Sequence, residues 1–181
     1  KAVQRSGCDG ITASNSIPAL MGIDIESLTP VPNVGGYSTY SGLTGYVIKA
    51  ITLRTVAEIA RNLKGFVISG NGGISDWQDS VELLSVGARN IQICTAVVLN
   101  GFDIINDLTS GLDNYLLRKN IDSVESLIGR ALPNLVDHDH LPRIKVRSQV
   151  VKEKCIGCGR CYIACRDGGH EAIEWNHEGR M

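Results

Sequence analysis

The stretch Phe66-Val-Ile-Ser-Gly-Asn-Gly-Gly-Ile-Ser-Asp76 predicts a strand, a glycine turn and the start of a helix. Its first four residues form a short apolar run, which is typical of a buried strand. Ser75 and Asp76 are residue types that commonly cap a helix start, and the helix is expected to run from about Asp76 to Val86. A buried strand followed by a helix is part of a βαβ unit, so the stretch indicates an α/β fold.

The sequence on both sides repeats this unit. Two further strands are predicted at 8–15 and 90–96, and helices are predicted at 1–6, 51–63, 101–119 and 123–131. The segment from Pro18 to Gly45 is rich in glycine and proline and is expected to be a long irregular loop. Strands that alternate with helices predict right-handed crossovers and a parallel sheet.

Three strands cannot close a (β/α)8 barrel, which takes eight strands and about 250 residues. The chain has 181 residues, so it is either a small open sheet or the last three βα units of a barrel. It begins without methionine and in the middle of a pattern, which favours a fragment. We expect an α/β domain over 1–136, a linker over 137–150 that carries Pro142, and a cysteine-rich domain over 151–181.

The composition is that of a globular protein, with 43% hydrophobic and 20% charged residues. A net charge of −1 argues against nucleic-acid binding, which normally leaves a basic footprint. No apolar run approaches the roughly 18 residues of a membrane-spanning helix, and no signal peptide opens the chain. The six cysteines are expected to be ligands or buried thiols, which favours the cytoplasm.

Four of the six cysteines lie in the run Cys155-Ile-Gly-Cys158-Gly-Arg-Cys161-Tyr-Ile-Ala-Cys165. The spacing C-x2-C-x2-C-x3-C is typical of bacterial ferredoxins, in which thiolates hold an iron–sulfur cluster. Gly157 and Gly159 give the backbone the freedom that close wrapping of a cluster needs. A structural zinc site, which usually has two separated C-x2-C pairs, and a disulfide scaffold are the alternatives.

The strand ends carry the other candidate site. Between a strand and a helix, the glycines of 70–73 let the backbone approach a ligand, and free N–H groups with the helix dipole attract an anion. If the strands are the sixth to eighth of a barrel, this turn and 94–96 are the loops that bind phosphate, although a plain tight turn is the alternative. The amide of Asn15, at the first strand end, suits a cyclic amide such as a pyrimidine, but Asn15-Ser16 could also be turn chemistry.

Two groups of residues are assigned no chemistry. Cys8 is expected to be a buried apolar residue. The four histidines, which lie in linker or ferredoxin-like sequence, are expected at the surface: His138, His140, His170 and His177.

Several motifs together resemble the dihydropyrimidine dehydrogenases, especially the bacterial NAD-dependent catalytic subunit. They are Asp9-Gly-Ile-Thr-Ala-Ser-Asn-Ser16, Gly42-Leu-Thr-Gly45, Gly72-Gly-Ile74, Ile91-Gln-Ile-Cys-Thr-Ala96 and the cysteine run. The resemblance implies the C-terminal part of a TIM (β/α)8 barrel of the dihydroorotate dehydrogenase-like type, followed by the start of a bacterial-ferredoxin-like 4Fe–4S domain.

The resemblance also implies which residues bind the cofactors and the substrate. FMN would be bound, mainly through its phosphate, by Gly45, Asn71, Gly72, Gly73, Cys94 and Thr95. Asn15 and Ser16 would hydrogen-bond the pyrimidine. Cys155, Cys158 and Cys161 would ligate one 4Fe–4S cluster, and Cys165 would ligate a neighbouring one.

This chain departs from the family at three positions. Ser16 replaces the usual threonine, Asn71 replaces a threonine or isoleucine, and Arg166 stands where the ferredoxin pattern has proline. The family's general-acid cysteine and its flavin-contacting lysine lie upstream of Lys1, so no catalytic residue is assigned.

The function implied is reduction of uracil or thymine to the 5,6-dihydropyrimidine, or the reverse, in pyrimidine catabolism. Electrons would come from NAD(P)H through an FAD-binding partner subunit or domain, and the enzyme would be an oligomer. A dihydroorotate dehydrogenase-like flavin enzyme, an electron-transfer module for another substrate and a zinc-binding module are the alternatives.

Overall fold

The structure, a computed structural model, describes residues 2–144 and 148–175, so His177 and the end of the predicted ferredoxin segment lie outside the described residues. Its helices and strands, in chain order, are α1 (Ala2–Arg5), β1 (Gly10–Ala13), β2 (Ile17–Ala19), β3 (Gly22–Asp24), β4 (Thr29–Val31), β5 (Ser41–Leu43), α2 (Lys49–Asn62), β6 (Val67–Asn71), α3 (Trp77–Ser85), β7 (Asn90–Gln92), α4 (Thr95–Asn100), α5 (Ile104–Lys119), α6 (Val124–Leu127) and α7 (Arg160–Asp167). Short 3-10 helices lie at Tyr46–Ile48, Leu132–Asn134, His138–His140 and Lys152–Lys154.

The three predicted strands form one parallel sheet in the order β1-β6-β7. Ile11 lies opposite Ile68 in the first pair, and Gly70 lies opposite Ile91 in the second. Each of these strands leads to a helix, so the chain forms three successive βα units. The carboxyl ends of all three strands therefore meet at one edge of the sheet.

Apolar side chains from the sheet and from α2, α3 and α5 form the main core. Its members include Val56, Ile68, Leu83 and Leu108. On α2 the buried positions are Thr52, Val56 and Ala57. Ile51 is 50% exposed because it lies one residue, about 100°, away from the face that carries Thr52 and Val56.

The prediction of an irregular loop over 18–45 was wrong. The segment contains two antiparallel pairs, β2 with β5 and β3 with β4. The carboxylate of Asp24 closes the turn between β3 and β4 by accepting hydrogen bonds from the backbone N–H groups of Glu26 and Ser27. These strands are only three residues long, which hides them from any test of alternating hydrophobicity.

Three smaller predictions were also wrong. The third strand is three residues long, and Cys94 caps a short helix, α4, that the sequence did not predict. The helix expected over 123–131 has only the four residues of α6. Cys8 is exposed rather than buried, because it precedes β1 in a turn beside Ser6.

The chain divides into two compact units, with the boundary between Asp137 and His138. The first contains the sheet, and the second contains the cysteine run with α7. No helix in the described part of the chain is long and apolar enough to cross a membrane.

Candidate functional site

A cavity of about 460 Å³ opens at the carboxyl edge of the sheet. It is lined by the residues that follow β1, β6 and β7 together with residues around the N-terminus of α2. All eight residues predicted to bind flavin or pyrimidine line it: Asn15, Ser16, Gly45, Asn71, Gly72, Gly73, Cys94 and Thr95. The structure thus brings the predicted residues together, while their individual roles stay predictions.

The cavity also has lining residues that the sequence analysis missed. They are Ser14, Thr44, Ile48, Ile74, Gln92, Ile93 and Val98. Ser14 follows β1 and Gln92 ends β7, so the rule that strand ends face the site would have found both. Ile48 directly precedes α2, and Val98 lies within α4. Only the fold brings these two residues to the site.

The glycine turn after β6 fits against the start of α2 so closely that side chains are excluded. Gly72 and Gly73 have φ values of +107° and +86°. A Cβ atom at Gly72 would lie 2.8 Å from Cδ1 of Ile48, and one at Gly73 would lie 2.6 Å from the backbone nitrogen of Lys49. The backbone is therefore the surface that the turn presents to the cavity.

Free backbone donors make this edge suitable for a phosphate. Within residues 2–144 and 148–175, the N–H groups of Gly72, Gly73 and Cys94 have no hydrogen-bond acceptor. Among the described residues, none with a charged side chain lines the cavity, so no carboxylate from them would repel an anion there. Successive backbone N–H groups in such turns bind anions, so the residues present fit the phosphate of FMN.

Two carboxylates cap the start of α3, which the sequence predicted to attract an anion. Asp76 accepts from the backbone N–H of Asp79 at 2.9 Å, and Oδ2 of Asp79 accepts from those of Ser75 and Asp76 at 2.7 and 3.2 Å. This reciprocal arrangement is a capping box. Because these carboxylates place negative charge at the start of α3, we expect an anion to bind at the glycine turn and at Cys94 instead.

A buried ion pair fixes the loop behind the glycine turn. Nζ of Lys49 lies 2.6 Å from Oδ1 of Asp79 and 3.0 Å from Glu82, and the side chain of Asp79 is 1% exposed. The hydrogen bond to Asp79 raises the pKa of Lys49 above its ordinary value. The pair joins the first turn of α2 to α3, so the glycine turn is held between two linked helices.

The residues after β1 present a free amide to the cavity. Oδ1 of Asn15 accepts from the backbone N–H of Ser16 at 2.7 Å and from its hydroxyl at 3.3 Å. Nδ2 of Asn15 has no acceptor in the described part of the chain, so it can donate to a ligand carbonyl. This arrangement is compatible with recognition of a cyclic amide.

The four cysteines of the run lie in the second unit, around the start of α7. Gly157 and Gly159 have φ values of +67° and +71°. Backbone N–H groups donate to two of the sulfurs, from Gly157 to Cys155 at 3.4 Å and from Ala172 to Cys165 at 3.2 Å. Hydrogen bonds to sulfur tune the potential of iron–sulfur clusters, so the donor set fits a 4Fe–4S cluster.

The cysteine geometry also bears on the zinc alternative. In residues 2–144 and 148–175, no three His, Cys, Asp or Glu side chains converge around the position of a single metal ion. A 4Fe–4S cluster distributes its thiolate ligands over several iron atoms.

Comparison with known proteins matches both units. Residues 1–116 match the family described as dihydroorotate dehydrogenase, and residues 148–168 match the 4Fe-4S binding domain.

Three relatives give the extent of the similarity. The chain is 40% identical to the NAD-dependent dihydropyrimidine dehydrogenase subunit PreA of Escherichia coli, over 99% of this chain and 44% of that protein. It is 32% identical to the chloroplastic dihydropyrimidine dehydrogenase (NADP(+)) of Arabidopsis thaliana, over 83% of this chain and 36% of that protein. It is 39% identical to the catalytic subunit of dihydroorotate dehydrogenase B (NAD(+)) of Pyrococcus abyssi, over 72% of this chain and 42% of that protein. The chain thus spans less than half the length of each of these relatives.

Proposed function

The chain belongs to the dihydroorotate dehydrogenase family, and from that premise we propose that the protein containing it is a dihydropyrimidine dehydrogenase. It would reduce uracil or thymine to the 5,6-dihydropyrimidine, or catalyse the reverse reaction, with NAD(P)H as the electron donor. FMN and 4Fe–4S clusters would be its resident cofactors.

The observation that carries the proposal is the joint presence of the strand-end cavity and the cysteine run. Similarity to the Escherichia coli dihydropyrimidine dehydrogenase subunit covers 99% of the chain, so it includes both features. The alignment with the Pyrococcus abyssi dihydroorotate dehydrogenase covers 72%. A barrel that serves a pyrimidine and a segment that carries single electrons are both needed for this reaction.

The described residues would bind and orient the reactants. Nδ2 of Asn15 would donate to a ring carbonyl, and the hydroxyl of Ser16 would bind the adjacent edge of the ring. The glycine turn would hold the flavin phosphate through backbone N–H groups, in the same cavity that Asn15 lines. When bound, FMN supplies hydride exchange with the ring and the clusters supply one-electron transfer to the site that oxidises NAD(P)H.

Partners and location are part of the same proposal. A subunit or domain with FAD and an NAD(P)H site would deliver the electrons, and the assembly would be an oligomer. Large apolar side chains exposed on the segment of β2 to β5, among them Met21, Ile25 and Tyr37, give this chain surface for such contacts. Thiolate ligands to an iron–sulfur cluster would suit the reducing cytoplasm.

The test is uracil-dependent oxidation of NADH by the full-length protein with its electron-transfer partner. We expect stoichiometric formation of dihydrouracil, because one NADH supplies the two electrons that the C5–C6 bond takes up. No uracil-dependent rate from protein that contains both flavin and iron would contradict the substrate assignment.

Oxidation of dihydroorotate is the second candidate, because residues 1–116 match the dihydroorotate dehydrogenase family and the Pyrococcus abyssi relative is 39% identical. The same preparation should be assayed with dihydroorotate and NAD+. A rate with dihydroorotate but none with uracil would favour the second candidate.

A further inference from the structure

We propose that Thr52 is a positioning residue for Asn15 and acts on it through Ser14. The inference rests on the proposed function, since it concerns the residue that would bind the pyrimidine. Thr52 lies on α2 and does not line the cavity, so it would influence the substrate without touching it.

The buried hydroxyl of Thr52 forms one side-chain hydrogen bond, with Ser14. Thr52 is 0% exposed, and Oγ1 lies 3.0 Å from Oγ of Ser14, its only side-chain partner in the described part of the chain. A buried hydroxyl without a partner is costly, so this bond is retained unless Ser14 moves away.

Ser14 is also held by its backbone on the opposite side. Its N–H donates to the backbone oxygen of Asn71 at 2.7 Å, and its carbonyl accepts from Nδ2 of Asn71 at 3.1 Å. Three atoms of Ser14 are therefore fixed, two by β6 and one by α2. We call these three hydrogen bonds of Ser14, two with Asn71 and one with Thr52, the Ser14 clamp. The clamp uses Nδ2 of Asn71 and leaves Oδ1 of Asn71 for a ligand.

Asn15 depends on this clamp for its direction. It follows Ser14 directly and is exposed, and among the described residues its side chain hydrogen-bonds only to its neighbour Ser16. Ser16 holds Oδ1 of this amide, and the backbone that carries the side chain is held at Ser14, so the position of Ser14 contributes to where Nδ2 points. Rotation of Ser14 would turn the donor of Asn15 away from a ligand carbonyl.

Thr52 also borders the glycine turn, so a substitution that tests its hydroxyl must keep the shape of the side chain. A Cβ atom at Gly72 would lie 3.0 Å from Oγ1 of Thr52. Thr52→Val keeps this shape and removes only the hydroxyl, whereas Thr52→Ser keeps the hydroxyl and removes the methyl group. Thr55→Val is the matched control, since the hydroxyl of Thr55 bonds to Ile51 on its own helix.

The experiment measures the uracil dissociation constant from the change in flavin absorbance, with full-length protein and no turnover. We expect Thr52→Val to raise this constant about three- to tenfold, the range that one lost hydrogen bond produces. Thr52→Ser and Thr55→Val should stay within about twofold of the original protein, and the flavin content should be unchanged in all three. Equal affinities for Thr52→Val and the control, or a larger loss with Thr52→Ser, would overturn the inference.

A double-mutant cycle tests whether Thr52 acts through Ser14. Ser14→Ala combined with Thr52→Val should weaken uracil binding no more than Ser14→Ala alone, because both changes remove the same bond. Multiplicative losses would mean that the two residues act independently and would overturn the inference.

Hydrogen exchange separates failure of the inference from failure of the proposed function. The amides of Ser14 and Ser16 should exchange faster in Thr52→Val than in Thr52→Ser, with no substrate present. If the original protein shows no response to uracil, the proposed function fails, and this exchange difference still decides whether Thr52 positions Asn15. Identical exchange in the two variants would overturn the inference even if uracil binds.

Discussion

At the scale of single residues, Gly73 and Gly65 have similar backbone conformations in different surroundings. Their φ values are +86° and +77°. A Cβ atom at Gly73 would meet the backbone of Lys49, whereas one at Gly65 would meet nothing within 4 Å. Any side chain at either position carries the cost of a left-handed conformation, about 1–2 kcal/mol.

Gly73→Ala should therefore lose flavin and Gly65→Ala should not. The added methyl group at Gly73 must push the turn away from α2, which moves the free N–H groups that would hold the phosphate. We expect FMN content to fall at least about tenfold in Gly73→Ala. The strained φ costs both variants about 1–2 kcal/mol, and the clash adds to the loss of stability in Gly73→Ala. Flavin content is measured by absorbance after gel filtration, and equal retention by both variants would contradict the phosphate assignment.

The ion pair of Lys49 with Asp79 gives a second residue-scale prediction. Lys49→Met leaves the carboxylate of Asp79 buried and unpaired, which should cost about 3–5 kcal/mol of the free energy of unfolding. Arg61→Met, which breaks an exposed pair with Asp137, should cost less than about 1 kcal/mol. Urea denaturation of both variants tests this, and similar midpoints would contradict it.

The stability difference between the original protein and Lys49→Met should depend on pH, because the pKa of Lys49 is raised. The hydrogen bond to Asp79 favours the protonated amine in the folded state. The contribution is therefore complete below the ordinary lysine pKa of about 10.4 and is lost as the pH rises through the higher folded value. The stability gap between the original protein and Lys49→Met should be constant from about pH 7 to pH 9 and should narrow above about pH 10.4. A gap that narrows between pH 7 and pH 9 would mean that another group is responsible.

At the scale of elements, the ribbon of β2 and β5 supports one side of the cavity. Gly42 lies opposite Pro18 in this pair, and a Cβ atom at Gly42 would lie 2.7 Å from Cβ of Ser16. The ribbon therefore sets the position of Ser16, which connects the segment predicted as a loop with substrate binding.

Gly42→Ala should weaken pyrimidine binding by displacing Ser16. We expect a rise in the uracil dissociation constant of about fivefold, the effect of one lost hydrogen bond, with unchanged flavin content. Gly22→Ala, in β3 of the same segment, is the control because nothing lies within 4 Å of its added Cβ. Equal affinities in the two variants would show that Ser16 is not held by the ribbon.

The elements that could be predicted from the sequence are those with a strong local signal. The apolar run before the glycine turn, the capping residue Asp76 and the cysteine spacing each determine a local structure, and the family matches confirm the α/β barrel fold and the 4Fe–4S segment. The short strands of the ribbon have too few residues for periodicity to appear. The contacts of Lys49 with Asp79 and of Thr52 with Ser14 join residues 30 and 38 positions apart, so only the fold reveals them.

At the scale of the whole molecule, the residues predicted to bind the two cofactors lie in different compact units. The strand-end cavity belongs to the unit before His138, and the cysteine run belongs to the unit after Asp137. The residues that line the cavity all belong to the first unit within the described part of the chain. Damage to the cysteine run should therefore leave flavin binding intact.

Cys158→Ser should separate the two halves of the proposed reaction. A serine hydroxyl is a poor ligand for a site that selects thiolate, so we expect the variant to lose the iron of that cluster and to keep its FMN. Uracil reduction with NADH should fall to background, because the electrons must pass through the clusters. Uracil reduction in a single turnover should persist when dithionite reduces the flavin directly.

The control for this prediction is Cys8→Ser, at an exposed cysteine in the other unit, which should match the original protein in iron, flavin and both rates. Iron analysis, flavin absorbance and the two assays on one preparation decide the outcome. If NADH-driven reduction survives the loss of iron, electrons reach the flavin without the cysteine run. If the dithionite-driven turnover is also lost, the run supports the barrel structurally, and its role as an electron path would need to be abandoned.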